Sequence, residues 1–97
     1  MKNEEIICQA ILEKKLIGFY YDGHHRHVEP HLYGMAHGEP RLLGYQVEGK
    51  SNSGSPTSWR QFKTDKMAYV RVLDEGFKGG RLKSEPVNWD RFIAIVD

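Results

Sequence analysis

The sequence predicts a mainly β domain of the α+β class: an N-terminal helix, then a strongly bent antiparallel sheet of five short strands. Apolar residues near the start recur at helical spacing. From Leu16 onward, short segments of alternating or aromatic-rich character are separated by tight-turn sequences. A chain of 97 residues makes one domain. Closure of so small a sheet into a barrel would remove its exposed edges.

The N-terminal helix is predicted from its cap and from its apolar face. Asn3 is a suitable N-cap, and the two glutamates that follow it lie beside the positive end of the helix dipole. Ile7, Ala10 and Ile11 fall on one face. A helix of about three turns needs a sheet to pack against.

The first two strands are predicted as a hairpin. "LIGFYY" is strand-like, and Asp22-Gly23 is a two-residue hairpin signal. The returning strand runs from Arg26 to Met35, and strict alternation places Val28 and Leu32 on one side and His27, Glu29 and His31 on the other. Pro30 lacks a backbone donor, so the strand should bend, bulge or run along an edge there.

Three further strands follow. "RLLGYQVE" places Leu43, Tyr45 and Val47 on one face, and Gly44 opposite leaves room for a bend or another backbone. Residues 49–58 are Gly/Ser-rich and predict a hairpin loop. "WRQF" and "MAYVRVL" complete the five strands.

The C-terminal extension, residues 76–97, is less distinctive than the barrel core at about 16–75. Trp89, Phe92, Ile93 and Val96 match helical spacing, which favours a helix. The β-branched residues leave a strand as the alternative. So apolar an end is expected to pack on the domain or on another chain, which makes a homodimer or a larger protein partner an alternative function.

Composition restricts the class of function. Fourteen basic and thirteen acidic residues give a net charge of +1, so only a local patch could bind nucleic acid. The single Cys8 excludes an internal disulfide. The sequence contains neither a long apolar span nor a signal-peptide pattern, and we expect a cytoplasmic protein without membrane contact.

Four segments in order resemble the WYL domain family of bacterial regulatory modules: "KKLIGFYYDG", "RHVEPHLYG", "RLLGYQ" and "WRQFKTDKM". The resemblance covers residues 6–77. Its Trp-Tyr-Leu signature is replaced by Arg41-Leu42-Leu43, two arginines become Lys63 and Lys66, and Met67 stands for an isoleucine.

The resemblance implies an SH3/Sm-like barrel that senses a nucleotide-like molecule or single-stranded nucleic acid. Family members usually follow a helix-turn-helix segment. Fewer than twenty residues precede the first strand here, so we expect a single stand-alone WYL-like domain over residues 1–97.

The candidate ligand-binding residues combine cations with an aromatic ring: Arg26, His31, Tyr45, Arg60, Lys63 and Lys66. Arginine takes two phosphate oxygens at once, lysine is a point charge, and a ring stacks on a base. The alternative is that Arg26 pairs with Glu29 or Asp65 while the lysines are solvated.

Five histidines are the third possibility, a metal-binding protein: His24, His25, His27, His31 and His37. Imidazoles two apart on a strand can chelate zinc, but no cysteine or acidic cluster completes a shell. No catalytic pairing is recognisable, so we expect neither enzymatic activity nor a cofactor. Trp59, Trp89 and the tyrosines at 20, 21, 33 and 69 are expected to pack in the core.

Overall fold

The structure is a computed structural model that describes residues 3–49, 58–79, 86 and 88–96. Its elements are α1 (Asn3–Glu13), β1 (Lys15–Tyr21), β2 (His24–Ala36), β3 (Glu39–Gly49), β4 (Ser58–Lys63), a 3₁₀ turn (Thr64–Lys66), β5 (Ala68–Gly76) and β6 (Trp89–Ile95). Most of the predicted Gly/Ser-rich loop, and residues 80–85 of the extension, lie outside this part. Among the described helices, none is long and apolar enough to cross a membrane.

The described strands form one open antiparallel sheet. Its order is β4-β3-β2-β1-β5, and β6 pairs with β2. The mainly β prediction with an N-terminal helix is therefore confirmed. The count of five strands is wrong for the described residues, which form six.

The helix favoured for the C-terminal tail is also wrong. Residues Trp89–Ile95 form β6, which pairs with the second half of β2 from Leu32 to Ala36. The β-branched residues that counted against a helix suit this strand. The spacing of apolar residues in the tail does not reveal that the second half of β2 has an edge to which this segment can pair as a strand.

Strand β2 organises the sheet because it exchanges partners halfway along its length. It pairs with β1 up to Val28, with β6 from Leu32, and with β3 on both sides of the exchange. Its register against β3 shifts twice, after His27 and after Pro30. Pro30 falls between the β1 and β6 ladders, where a missing donor costs least, so the predicted irregularity at this proline is confirmed.

The second of these shifts makes the predicted faces of β2 wrong beyond Pro30. Val28 and Leu32 are buried as expected, but Glu29 and His31 are buried as well, and His27 alone of the three is half-buried. A bulge adds a residue to one strand and reverses the alternation beyond it. At the first shift the extra residue is Val47 of β3, so β2 keeps its predicted alternation up to Pro30. At the second shift the extra residue is His31 of β2, so Leu32 pairs with Leu43 and lies on the opposite face from Val28, which pairs with the inward Gln46.

The sheet bends enough to bring its separated strands into side-chain contact. Phe19 of β1 and Phe62 of β4 have ring centroids 5.0 Å apart, although β2 and β3 lie between these strands in the sheet. Gly44 of β3 permits close approach, because a Cβ there would collide with Val28 Cγ1 and lie 3.0 Å from the Glu29 carbonyl oxygen. The concave side holds the core.

Helix α1 covers part of that core, and its N-terminal end is hydrogen-bonded to the connection between β4 and β5. Ile7, Ala10 and Ile11 are buried, as the sequence predicts. The side-chain amide of Asn3 donates to the carbonyl oxygens of Thr64 and Met67 at 3.2 and 3.1 Å.

Candidate functional site

Arg26 lies on the concave side of the sheet near the start of β2. It is only 3% exposed. Its Nη1 donates to Gln46 Oε1 at 3.3 Å, and its Nη2 donates to the Tyr21 carbonyl oxygen at 3.2 Å. The guanidinium thereby joins β2 to the middle of β3 and to the last residue of β1.

Two aromatic rings flank the same guanidinium. Its central carbon lies 5.3 Å from the Tyr21 ring centroid and 5.6 Å from that of Phe62. Both distances fall within the range of cation–π attraction. Tyr21 is fixed in turn, because its hydroxyl accepts a hydrogen bond from the Lys63 backbone N–H at 3.0 Å.

The charge of Arg26 is not neutralised by an acid within the described part of the chain. It forms no ion pair there with Glu29, Asp65 or any other carboxylate whose side chain is described, so the alternative of an Arg26 pair with one of those acids is not found. Burial lowers the pKa of Arg26, and the nearby positive charge of Arg60 lowers it further; Asp22 acts weakly in the opposite direction. Arg26 Nε is buried and makes no hydrogen bond within the described residues.

Arg60 reaches the same side of the sheet from β4. It is two residues from the buried Phe62, and residues two apart on a strand share a face. Its cross-strand neighbour in β3 is Gly44, and Val28 occupies the space where a side chain of residue 44 would lie. The Phe62 ring on that face lies 5.6 Å from the Arg26 guanidinium carbon, and the positive charge of Arg60 lowers the pKa of Arg26.

Tyr45 and His31 belong to a different cluster. The Tyr45 ring contacts Trp59, whose ring lies 4.8 Å from that of His31; Phe77 lies 5.1 Å away on another side of the imidazole. His31 is fully buried, with Nδ1 2.8 Å from the Glu29 carbonyl oxygen. Because Tyr45 and Trp59 alternate with inward-facing residues, they lie on the opposite face of the sheet from Arg60.

The two lysines are separate again. The Lys63 ammonium lies 3.6 Å from Glu39, which also pairs with Arg41 at 2.8 Å. Hydrogen bonding from Arg41, and the nearby Lys63 charge, lower the pKa of the Glu39 carboxyl. Lys66 is exposed at the end of the 3₁₀ turn. Of the six predicted site residues, the structure therefore brings together Arg26 and Arg60, and it does not place the other four beside them.

The histidines are spread along β2 and the turn that follows it. The rings of His25 and His27 are 4.8 Å apart, while His31 lies in the Trp59 cluster and His37 in an exposed turn. Across the described residues, no group of three or more histidine, cysteine or acidic side chains is placed to hold a metal ion.

Sequence reasoning missed Gln46 and Tyr21 as members of the arginine site. Gln46 is fully buried because Leu42, Gly44 and Gln46, not Leu43 and Tyr45, form the inward row of β3. The polar residue in an otherwise apolar and glycine row was the available signal. Comparisons with protein-family models, curated proteins and solved structures find no match for this chain.

Proposed function

We propose that this chain is a non-enzymatic ligand-binding module whose Arg26 and Arg60 hold the phosphate of a nucleotide-like or single-stranded nucleic-acid anion. The observation that carries the proposal is the buried Arg26 cation, which has a second cation nearby and no carboxylate partner among the described side chains.

Electrostatics supports an anion as the ligand. Removing a cation from water costs several kcal/mol unless an opposite charge or good hydrogen bonds offset it. At Arg26 this cost is offset by two neutral oxygens and two ring faces. The positive charge of Arg60 disfavours the charged form of Arg26 further. A phosphate would interact favourably with both cations, and the planar guanidinium suits two oxygens at once.

The resemblance to WYL domains also supports a ligand-binding role for Arg26 and Arg60. Arg26 opens "RHVEP" and Arg60 stands in "WRQF", the elements that carry the resemblance. We therefore propose a WYL-like domain with a regulatory, ligand-sensing role in the cytoplasm.

We also propose that this open, strongly bent sheet is a partly open barrel of the SH3/Sm-like type. In support, a three-residue 3₁₀ turn is almost the whole connection between the outer strands β4 and β5, which keeps their ends close together. Contact of rings from β1 and β4 across the concave side gives the curvature that closure requires.

A thermal-shift screen against nucleotides, cyclic oligonucleotides and short single strands tests the function. A ligand at about 100 times its Kd stabilises the folded state by about 2.7 kcal/mol, which raises Tm by about 10 °C or more in a domain of this size. We expect Arg60→Gln to abolish the shift and Lys63→Gln, which removes the same charge from the outer side, to retain it. No shift with any ligand, or equal loss in both variants, would contradict the arginine site.

An assembly function is the second candidate, favoured by the exposed apolar residues of β6. Phe92, Ile93 and Ile95 are 38–44% exposed, and within the described sheet β6 is hydrogen-bonded on one side alone. Sedimentation of the wild-type chain and of Ile95→Lys tests this function. A dimer that becomes a monomer on substitution supports self-assembly, and a wild-type monomer at high micromolar concentration excludes it.

A further inference from the structure

The outer side of β5, β1 and β2 carries a continuous row of planar side chains. It consists of Tyr69, Tyr20, His25 and His27, with successive ring centroids 6.0, 5.0 and 4.8 Å apart. Tyr69 is 81% exposed and Tyr20 is 46% exposed, so the expectation that both tyrosines pack in the core is wrong. We call these four residues the outer ring row.

The exposed Tyr69 has a strained backbone conformation. Its φ is +55°, in the left-handed region that a bulky side chain rarely adopts. Burial of the ring does not offset this strain. Strained backbone at an exposed side chain is a pattern found at binding sites.

A cation lies beside the row and is held flat against the sheet. The Arg71 guanidinium covers Gly18 of β1, where an added Cβ would lie 3.0 Å from its Cζ. Its Nη2 is hydrogen-bonded to His25 Nε2, and its Nη1 donates to the Tyr69 carbonyl oxygen at 3.4 Å. Arg71 forms no ion pair with a described carboxylate and stays exposed to solvent.

We infer that the outer ring row and Arg71 form a stacking surface for unpaired bases of single-stranded nucleic acid. Exposed aromatic rings stack on any base, and an adjacent guanidinium contacts the phosphate between bases. A duplex does not present its base faces, so it does not suit this surface. The site lies on the opposite side of the sheet from Arg26 and Arg60 and does not depend on their role.

Fluorescence anisotropy with a labelled thymidine octamer tests the inference on the whole chain. We expect Tyr69→Leu to weaken binding by about 5- to 150-fold, the range for losing one stacked base. Tyr69→Phe, which keeps the ring, should bind as the wild type does, and so should Leu12→Ala, which changes an exposed apolar residue on α1.

Arg71→Gln should lower the slope of log affinity against log salt by about 0.7, the amount expected for one phosphate contact to a single strand, and Lys66→Gln should leave it unchanged.

Three results would overturn the inference: no binding of the octamer, equal affinity for an abasic octamer, or unchanged affinity in Tyr69→Leu. Arg60→Gln distinguishes the two sites. If Arg60→Gln abolishes octamer binding while Tyr69→Leu does not, the stacking surface is wrong and the arginine site stands. If Tyr69→Leu weakens octamer binding and Arg60→Gln leaves every nucleotide-induced thermal shift unchanged, the arginine site is wrong and the stacking surface stands.

Discussion

Arg26 shows how one buried charge can be tolerated without a neutralising acid. Its hydrogen bonds to Gln46 and to the Tyr21 carbonyl, together with two ring faces, take the place of solvent. Each such bond to a charged group contributes about 1.5–3 kcal/mol, which is comparable with the cost of burial. The net contribution of Arg26 to the free energy of unfolding is therefore small, and an apolar side chain at this position would stabilise the fold about equally well.

Replacement of Arg26 by methionine separates a binding role from a structural one. We expect Arg26→Met to change the free energy of unfolding by less than about 2 kcal/mol, because the loss of two hydrogen bonds is offset by relief of the cost of burying the cation. Ligand-induced stabilisation should disappear. Urea denaturation with and without the screened ligand measures both quantities, and a loss above about 4 kcal/mol would assign Arg26 to the architecture instead.

Tyr33 is a second residue whose electrostatics leads to a measurable effect. Its hydroxyl donates to Glu4 Oε1 at 3.0 Å, which ties β2 to α1. Burial and the neighbouring Glu4 raise the pKa of Tyr33 to about 12. The folded state therefore keeps the neutral phenol at a pH where the unfolded chain ionises, near 10.

Stability from this phenol is fully present below about pH 10 and is lost as the pH rises towards about 12. Tyr33→Phe should be less stable than the wild type at pH 8 by about 1–3 kcal/mol, because the hydrogen bond to Glu4 is gone. The difference should shrink between pH 10 and 12. Urea melts across this range test it, and a difference independent of pH would contradict the raised pKa.

At the scale of elements, the bend of the sheet depends on the absence of a side chain at Gly44 of β3. Gly44 leaves the space that Val28 and the backbone of Glu29 occupy, and it faces Arg60 across the ladder. The sequence predicted this close approach from a single glycine in an alternating strand. It could not predict the two register shifts between β2 and β3, because a bulge reflects pairing with distant strands and not local composition.

Alanine at position 44 should therefore destabilise the fold. We expect Gly44→Ala to cost about 1–3 kcal/mol through overpacking, and the cost should be smaller in a Val28→Ala background, where the colliding methyl is absent. A double-mutant cycle by urea denaturation gives the coupling. Equal costs in both backgrounds would mean that the Val28 contact does not limit the approach of the strands.

At the scale of the whole molecule, the sheet separates two chemistries by its two sides. Arg26 and Arg60 lie towards the concave side, and Tyr69, Tyr20 and Arg71 lie on the outer side. The near-neutral chain, with a net charge of +1, therefore presents local cations instead of a broad basic field.

The class of fold was accessible from the sequence because amphipathic spacing and hairpin signals are local. The grouping of the site was accessible only in part. The sequence placed Arg26, Arg60, Tyr45 and His31 in one group. The structure keeps the two arginines on one face and places the Tyr45 and His31 rings beside Trp59, and the bulge at His31 could not be predicted from local composition. The exposure of Tyr20 and Tyr69 was missed because an aromatic residue on a strand is more often buried.

We propose that Arg26 and Arg60 together hold a phosphate-bearing anion. Arginine-selective NMR of the side-chain Nε–Hε groups, followed during titration with adenosine triphosphate and separately with inorganic phosphate, tests it most directly. We predict saturable shifts of Arg26 and Arg60 with one common Kd, while Arg41, which is paired with Glu39, stays unchanged. Shifts confined to Arg41 and Arg71, with Arg26 and Arg60 unperturbed at saturation, would contradict the account.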